Sequence, residues 1–256
     1  MQKEYYKIMN SKIYCKNYGS GPKKYVGISG WGGNNNTYTP IIKYLPKDVS
    51  FTSFDIQGFG KSKNPKKWNM QNICHEIIAE LGINEKTNLV GNCTGGVLGL
   101  EISKLLNYKV NKLVMIDPFL YTPWYFYLLV NKYFGEKAYM ATFASKVGRY
   151  ISNLLLKSKR NEDTNLTEHF AEMNHTNSYS FLRMMHNHSG LEIYSDLENN
   201  LSIIHGDKTF KAVKRSISKI KKQIKHTEIY EVKNAGHLPI EDQPEMVAKF
   251  IFNKNE

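Results

Sequence analysis

The 256-residue sequence predicts an α/β fold: a mostly parallel sheet of about eight strands flanked by helices, with a helical insertion after the sixth strand. Three observations lead there. Short strand-like apolar runs alternate with helical segments from Lys24 to Leu106 and resume at Leu201. Between Pro118 and Glu198 that alternation gives way to aromatic-rich helical sequence. With 41% hydrophobic and 23% charged residues, the chain can bury one large core, which excludes a disordered tail, a coiled coil or a small disulfide-stapled module.

In chain order, Tyr5 to Met9 and Lys12 to Tyr18 flank Asn10-Ser11 and read as an N-terminal hairpin. After the Gly19-Ser20-Gly21-Pro22 break, strands are expected over 24–29, 49–55, 87–92 and 110–117. Helices are expected between them, over 38–45, 70–81 and 95–106. Strands over 201–206 and 227–232 follow, each with a helix after it, so residues 1–117 and 199–256 form a core and 118–198 a helical cap. Most cap aromatics, from Trp124 through Phe181, are read as packing for the cap itself. The 161–165 stretch is a polar loop, and no internal repeat appears.

The 35 Lys and Arg against 23 Asp and Glu leave a net charge of +12. No concentrated nucleic-acid motif accompanies that charge, so no nucleic acid is expected as partner. The densest basic run, 211–225, reads as a lysine-rich surface helix whose alternative role is docking an acidic acyl-carrier protein or an anionic coenzyme A thioester. Three scattered cysteines imply no disulfide framework. The charged start lacks a secretory core, and the longest apolar stretch is about 12 residues where a spanning helix needs about 20. A cytoplasmic protein with no membrane partner is expected.

The strongest local signal is Gly91-Asn92-Cys93-Thr94-Gly95-Gly96, between a strand and a helix. Small residues on both sides of a nucleophile allow a sharp reversal that raises it at a helix N-terminus. There the dipole favours the thiolate and the first N–H groups face a developing oxyanion. Cys93 is therefore the candidate nucleophile. No HExxH, paired CxxC or histidine cluster points to a metal, and no cofactor is expected.

From Lys24 to Ile251 the chain resembles the α/β-hydrolase superfamily, so the expected architecture is the α/β-hydrolase fold. Four segments carry the resemblance. Ser29-Gly30-Trp31-Gly32-Gly33 is similar to the family's oxyanion loop, with serine in place of histidine. Asp55-Ile56-Gln57-Gly58-Phe59-Gly60-Lys61-Ser62 resembles the D-x-x-G-x-G-x-S turn, and the Cys93 turn is the nucleophile elbow. Asn234-Ala235-Gly236-His237-Leu238-Pro239, followed by Glu241-Asp242-Gln243-Pro244-Glu245, resembles the segment with the catalytic histidine.

The resemblance implies His237 as base and the N–H groups of Trp31 and Thr94 as oxyanion hole. The acid departs from the commonest pattern, because Gly206-Asp207-Lys208-Thr209 puts threonine where that aspartate is expected. Asp117, at the end of the sixth strand, is the favoured acid; Asp207, or no acid at all, remains open. Cap residues Trp124, Phe126, Tyr127 and His186 are candidate substrate contacts, although packing is the commoner role for such residues.

An acyl-cysteine is itself a thioester, so a thioester or ester substrate is implied and amide hydrolysis is not. The loop Gly30-Trp31-Gly32 resembles carboxylesterases that act on carrier-bound acyl groups. The expected function is a cysteine-dependent esterase or thioesterase acting on a small acyl substrate. An acyltransferase or cyclising thioesterase, and a non-catalytic binding protein, remain as alternatives.

Overall fold

A computed structural model describes residues 5–6, 12–120, 123, 126–159, 165–188, 190–197 and 200–252. Eight strands form one sheet: β1 (Tyr5–Tyr6), β2 (Cys15–Tyr18), β3 (Lys23–Ile28), β4 (Val49–Phe54), β5 (Asn88–Asn92), β6 (Lys112–Ile116), β7 (Asn200–Gly206) and β8 (Glu228–Val232). Their order is β1-β2-β4-β3-β5-β6-β7-β8. Strands β3 to β8 run parallel, and only the β1–β2 and β2–β4 pairings are antiparallel. The expected N-terminal pairing is present as Tyr5 opposite Asn17, while its Asn10-Ser11 turn lies outside the described residues.

Strand period 2 explains how one sheet serves two cores. Leu89, Leu113, Met115 and Ile203 join the core beneath α2 (Met70–Leu81), α3 (Gly95–Leu105) and α8 (Lys211–Gln223). Their neighbours Val90, Val114, Ile116 and Ile204 join the opposite core, under α1 (Thr39–Ile42) and α10 (Pro244–Phe252). Helix α2 shows the complementary period: Met70, Ile73, Cys74 and Ile77 are its buried residues. The Asn69 side chain caps its start, and Gly82, at φ +60°, ends it.

Helix α1 is shorter than the expected 38–45. Pro46 disfavours helical backbone at Leu45, so Tyr44 and Leu45 close i→i+3 turns onto Ile41 and Ile42 instead. The adjacent Tyr38 is fully buried, with Oη 2.8 Å from Ile28 O and 2.7 Å from Val90 O. It thereby ties together the ends of β3 and β5, the two strands that lead to the candidate site. Burial pushes its phenol pKa far up, so it stays a donor. Tyr38→Phe is expected to cost about 1–2 kcal/mol, read as a lower denaturant midpoint at unchanged slope; an unchanged midpoint would refute the tie.

Between β6 and β7 the regular elements among the described residues are all helices. These include α4 (Tyr127–Val130), α5 (Gly135–Tyr139), a π-turn (Met140–Ala144), α6 (Lys146–Leu155) and α7 (His175–His186). A buried polar cluster ties this segment to the core. The Tyr194 hydroxyl donates to Glu101 Oε2 of α3 at 3.0 Å, and His188 Nε2 lies 2.5 Å from that hydroxyl. Because Tyr194 gives its proton to Glu101, His188 must donate through Nε2. Among the described residues, no helix is long and apolar enough to cross a membrane.

Candidate functional site

The elbow at the end of β5 is held in a conformation that few side chains adopt. Cys93 has φ +53°, its N–H donates to Ile116 O at 2.8 Å, and its thiol is half-buried. Glycines make the reversal possible: a Cβ on Gly95 would lie 2.2 Å from Ile28 O. A Cβ on Gly30, in the loop after β3, would lie 2.7 Å from Cys93 Cβ, so the loop approaches the thiol as closely as backbone can. Asp55 braces that loop, accepting from both nitrogens of Asn35 at 2.7 Å and from Lys61 N at 2.9 Å.

Trp31 sits where the loop, the elbow and the helical segment meet. Its N–H donates to Thr94 Oγ1 at 2.8 Å, and its indole N–H reaches Ser178 Oγ of α7 at 2.8 Å. Phe170, Phe143 and Phe126 surround the ring at centroid distances of 4.8, 5.0 and 5.9 Å. An aromatic layer from the helical segment thus rests on the residue whose N–H faces the elbow.

His237 lies between β8 and α9 (Pro239–Asp242). Two carboxylates position its loop: Ala235 N–H donates to Asp207 Oδ1 at 3.1 Å, and Gly236 N–H to Asp242 Oδ2 at 2.7 Å. The imidazole Nδ1 is 2.7 Å from Asp117 Oδ2. Asp117, at φ +47° just beyond β6, is completely buried. It also accepts from Gly206 N at 3.0 Å and from the Thr209 hydroxyl. Burial opposes charge on His237, but hydrogen bonds to Asp117 and Cys93 outweigh it and push the pKa up to about 10. Phe210 and Phe119 flank the ring at 4.7 and 6.2 Å.

Of the residues singled out in the sequence, Cys93, His237, Asp117, Trp31, Thr94 and Phe126 come together here. Asp207 does not reach His237: it holds the loop instead, and backbone N–H groups of Ala235 and Asn234 offset its desolvation and draw its pKa down. Tyr127 and His186 pair with each other at 5.2 Å, and Tyr127 is 55% exposed, so neither joins the aromatic layer on Trp31. Trp124 lies outside the described residues. Thr209, which cannot supply a carboxylate's charge, donates to buried Asp117; its place in the Gly206-Asp207-Lys208-Thr209 run was the available signal. Among the described residues, no three His, Cys, Asp or Glu side chains cluster to hold a metal.

A sequence model described as the alpha/beta hydrolase fold matches residues 26–244. The chain belongs to that family. A curated relative, pimeloyl-[acyl-carrier protein] methyl ester esterase of Pseudoalteromonas atlantica, is 31% identical over 110 residues. That match spans 42% of each chain, so less than half of the relative is covered. Among solved structures of the fold, a bromoperoxidase from Bacillus anthracis superposes with TM-score 0.73 at 15% identity, covering 97% of this chain and 98% of that one. A thermophilic esterase from Thermogutta terrifontis gives TM-score 0.73 at 13% identity, with 97% and 96% covered. These likenesses establish the fold, which hosts different chemistries.

Proposed function

We propose that this α/β-hydrolase is an esterase or thioesterase that works through an acyl-Cys93 intermediate. The observation carrying the proposal is the hydrogen-bonded line from Asp117 through His237 to Cys93, at an elbow approached by the Trp31 N–H. The segment 118–198 serves as its cap, with Phe126, Phe143 and Phe170 presenting apolar surface beside the thiol.

In this reaction the Cys93 sulfur attacks the acyl carbonyl, and the oxygen's charge develops toward the N–H groups of Trp31 and Thr94. The substrate oxygen takes the acceptor place that Thr94 Oγ1 holds on the Trp31 N–H. His237 gives its proton to the departing alcohol or thiol as the carbonyl–leaving group bond breaks. It then removes a proton from water as the water oxygen attacks the acyl-sulfur carbonyl, and the carbon–sulfur bond breaks, releasing the acid and returning the Cys93 thiolate beside protonated His237. Asp117 keeps the ring oriented and its positive charge compensated throughout.

The relative acting on an acyl-carrier-protein ester supports a carrier-bound or coenzyme A-bound acyl substrate. On α8, exposed Arg215 and Lys222 remain suited to an acidic carrier, whereas Lys214 and Lys221 donate to backbone carbonyls. None of the three cysteines forms a disulfide, in keeping with a cytoplasmic protein. A second reading, transfer of the acyl group to an amine or alcohol, is favoured by Phe119 and Phe210, which crowd water away from His237.

Intact-protein mass spectrometry with acyl-thioesters and activated esters tests both readings. The expected result is an acyl adduct on the Cys93 peptide that water discharges. Discharge only on addition of a nucleophile would favour transfer. No adduct with any donor would leave a binding protein of this fold.

A further inference from the structure

Helix α6 is amphipathic with the wrong side out. Its polar residues Arg149, Ser152 and Asn153 are half-buried against the protein, where Arg149 Nη1 donates to Phe143 O at 3.0 Å and Ala144 O at 2.7 Å. Its apolar residues face water: Val147 is 68% exposed, Tyr150 71%, Ile151 49%, Leu154 56% and Leu155 76%. At 100° per residue these five fill one arc of about 140° with no polar residue inside it. A ten-residue helix with this side bare is a surface awaiting cover.

The charge around the arc identifies the cover. Exposed Lys146 and Lys157 stand at the two ends of the arc, no aspartate or glutamate occurs from Lys137 through Lys157, and Glu168 shares a groove with Lys146 along one edge. A second copy meeting this face about a two-fold axis would set cations against cations. A directional protein contact would need several polar anchors within the arc, where the Tyr150 hydroxyl is the one polar group. A surface of acyl chains beneath anionic headgroups satisfies both features, taking the apolar side chains between the lipids and the cations among the phosphates.

We propose that α6 is a docking face that seats this protein on anionic phospholipid surfaces. The association is peripheral and departs from the sequence expectation of no membrane partner, which rested on the missing spanning helix. The docked helix is one layer from the candidate site: Arg149 holds the carbonyl of Phe143, whose ring lies 5.0 Å from that of Trp31. Binding by α6 stands independently of the chemistry at Cys93.

Cosedimentation of the full chain with vesicles of phosphatidylcholine, with and without about 30 mol% phosphatidylglycerol, tests this. Binding is expected to require the anionic lipid and to weaken as salt rises. Leu154→Ser with Leu155→Ser should weaken it by about tenfold or more, and Lys157→Glu, which alters no packing, by several-fold. Both variants should retain the wild-type thermal transition, since the positions are exposed. Absent vesicle binding would overturn the proposal. So would binding lost with Arg215→Glu on α8 and kept in the α6 variants. Two further results would overturn it if vesicles are not bound: a wild-type dimer that the leucine variants turn into monomer, or α6-dependent binding of an acidic carrier protein.

Discussion

Cys93→Ala is expected to lower turnover of an activated ester by about 10⁴-fold or more, with the thermal transition little changed. The substitution removes only the sulfur, from a half-buried position at the top of the elbow. Fold stability does not depend on that atom: the turn is held by the Cys93 N–H bond to Ile116 O and by the tight glycine contacts around it. The sulfur is, however, the group that forms the covalent acyl intermediate in the proposed mechanism. What survives in the variant is the preorganised N–H of Trp31 and the imidazole of His237, enough for slow water attack. Serine at the same position makes the sharper comparison. His237 owes part of its raised pKa to Cys93, so Cys93→Ser should bring that pKa down from about 10. The histidine would then be a base for a hydroxyl instead of the positive partner of a sulfur. Measurable ester hydrolysis with complete loss of iodoacetamide labelling at position 93 is the expected pattern. Wild-type turnover in Cys93→Ala would remove the acyl-cysteine mechanism.

The difference between legible and illegible features follows the range of the interactions that create them. Strands and their faces were legible because alternation within each run, as in Leu113-Val114-Met115-Ile116, is local and meets a core on either side. The elbow was legible because steric crowding demands glycine at 91 and 95, and the shortened α1 had its signal in Pro46. Asp117 could be favoured over Asp207 only through the family pattern, because its partner is 120 residues away. The relay of His188, Tyr194 and Glu101 had no local signature, since Glu101 lies 93 residues from Tyr194 in a different element. Phe126 reaches Trp31 while the adjacent Tyr127 pairs with His186: neighbouring helical residues point about 100° apart, and composition does not say which points inward. Helix α6 states the limit most plainly. Its period can be read from the sequence, but the orientation that puts its apolar arc outward depends on what α6 packs against.

Asp117→Asn is expected to reduce turnover by about 10²–10⁴-fold, far more than Asp207→Asn, and to move the titration of His237. The carboxylate is fully buried and makes three contacts, to Gly206 N, the Thr209 hydroxyl and His237 Nδ1. Two of these an asparagine oxygen or a rotated hydroxyl can partly keep. Compensation of the imidazolium charge is lost with the negative charge. The sign is set by the partners: burial lowers the pKa of His237, and Asp117 is the leading group among those that raise it to about 10. Without it the pKa must fall, so the protonated form that supplies the leaving-group proton is lost at lower pH. A ¹³C-histidine NMR titration should place the His237 midpoint near 10 in the wild type and at least one unit lower in Asp117→Asn. The alkaline limb of kcat/KM for a stable alkyl ester should move down with it. Asp207→Asn should leave the midpoint in place, because Asp207 bonds the backbone of the loop and not the ring. Thr209→Val provides the intermediate case: it removes a donor to Asp117 while keeping the charge, so turnover should fall modestly and the midpoint should hold or rise. Equal losses from Asp117→Asn and Asp207→Asn, with the His237 midpoint fixed in both, would separate the buried carboxylate from the chemistry and leave it a structural anchor for the ends of β6 and β7.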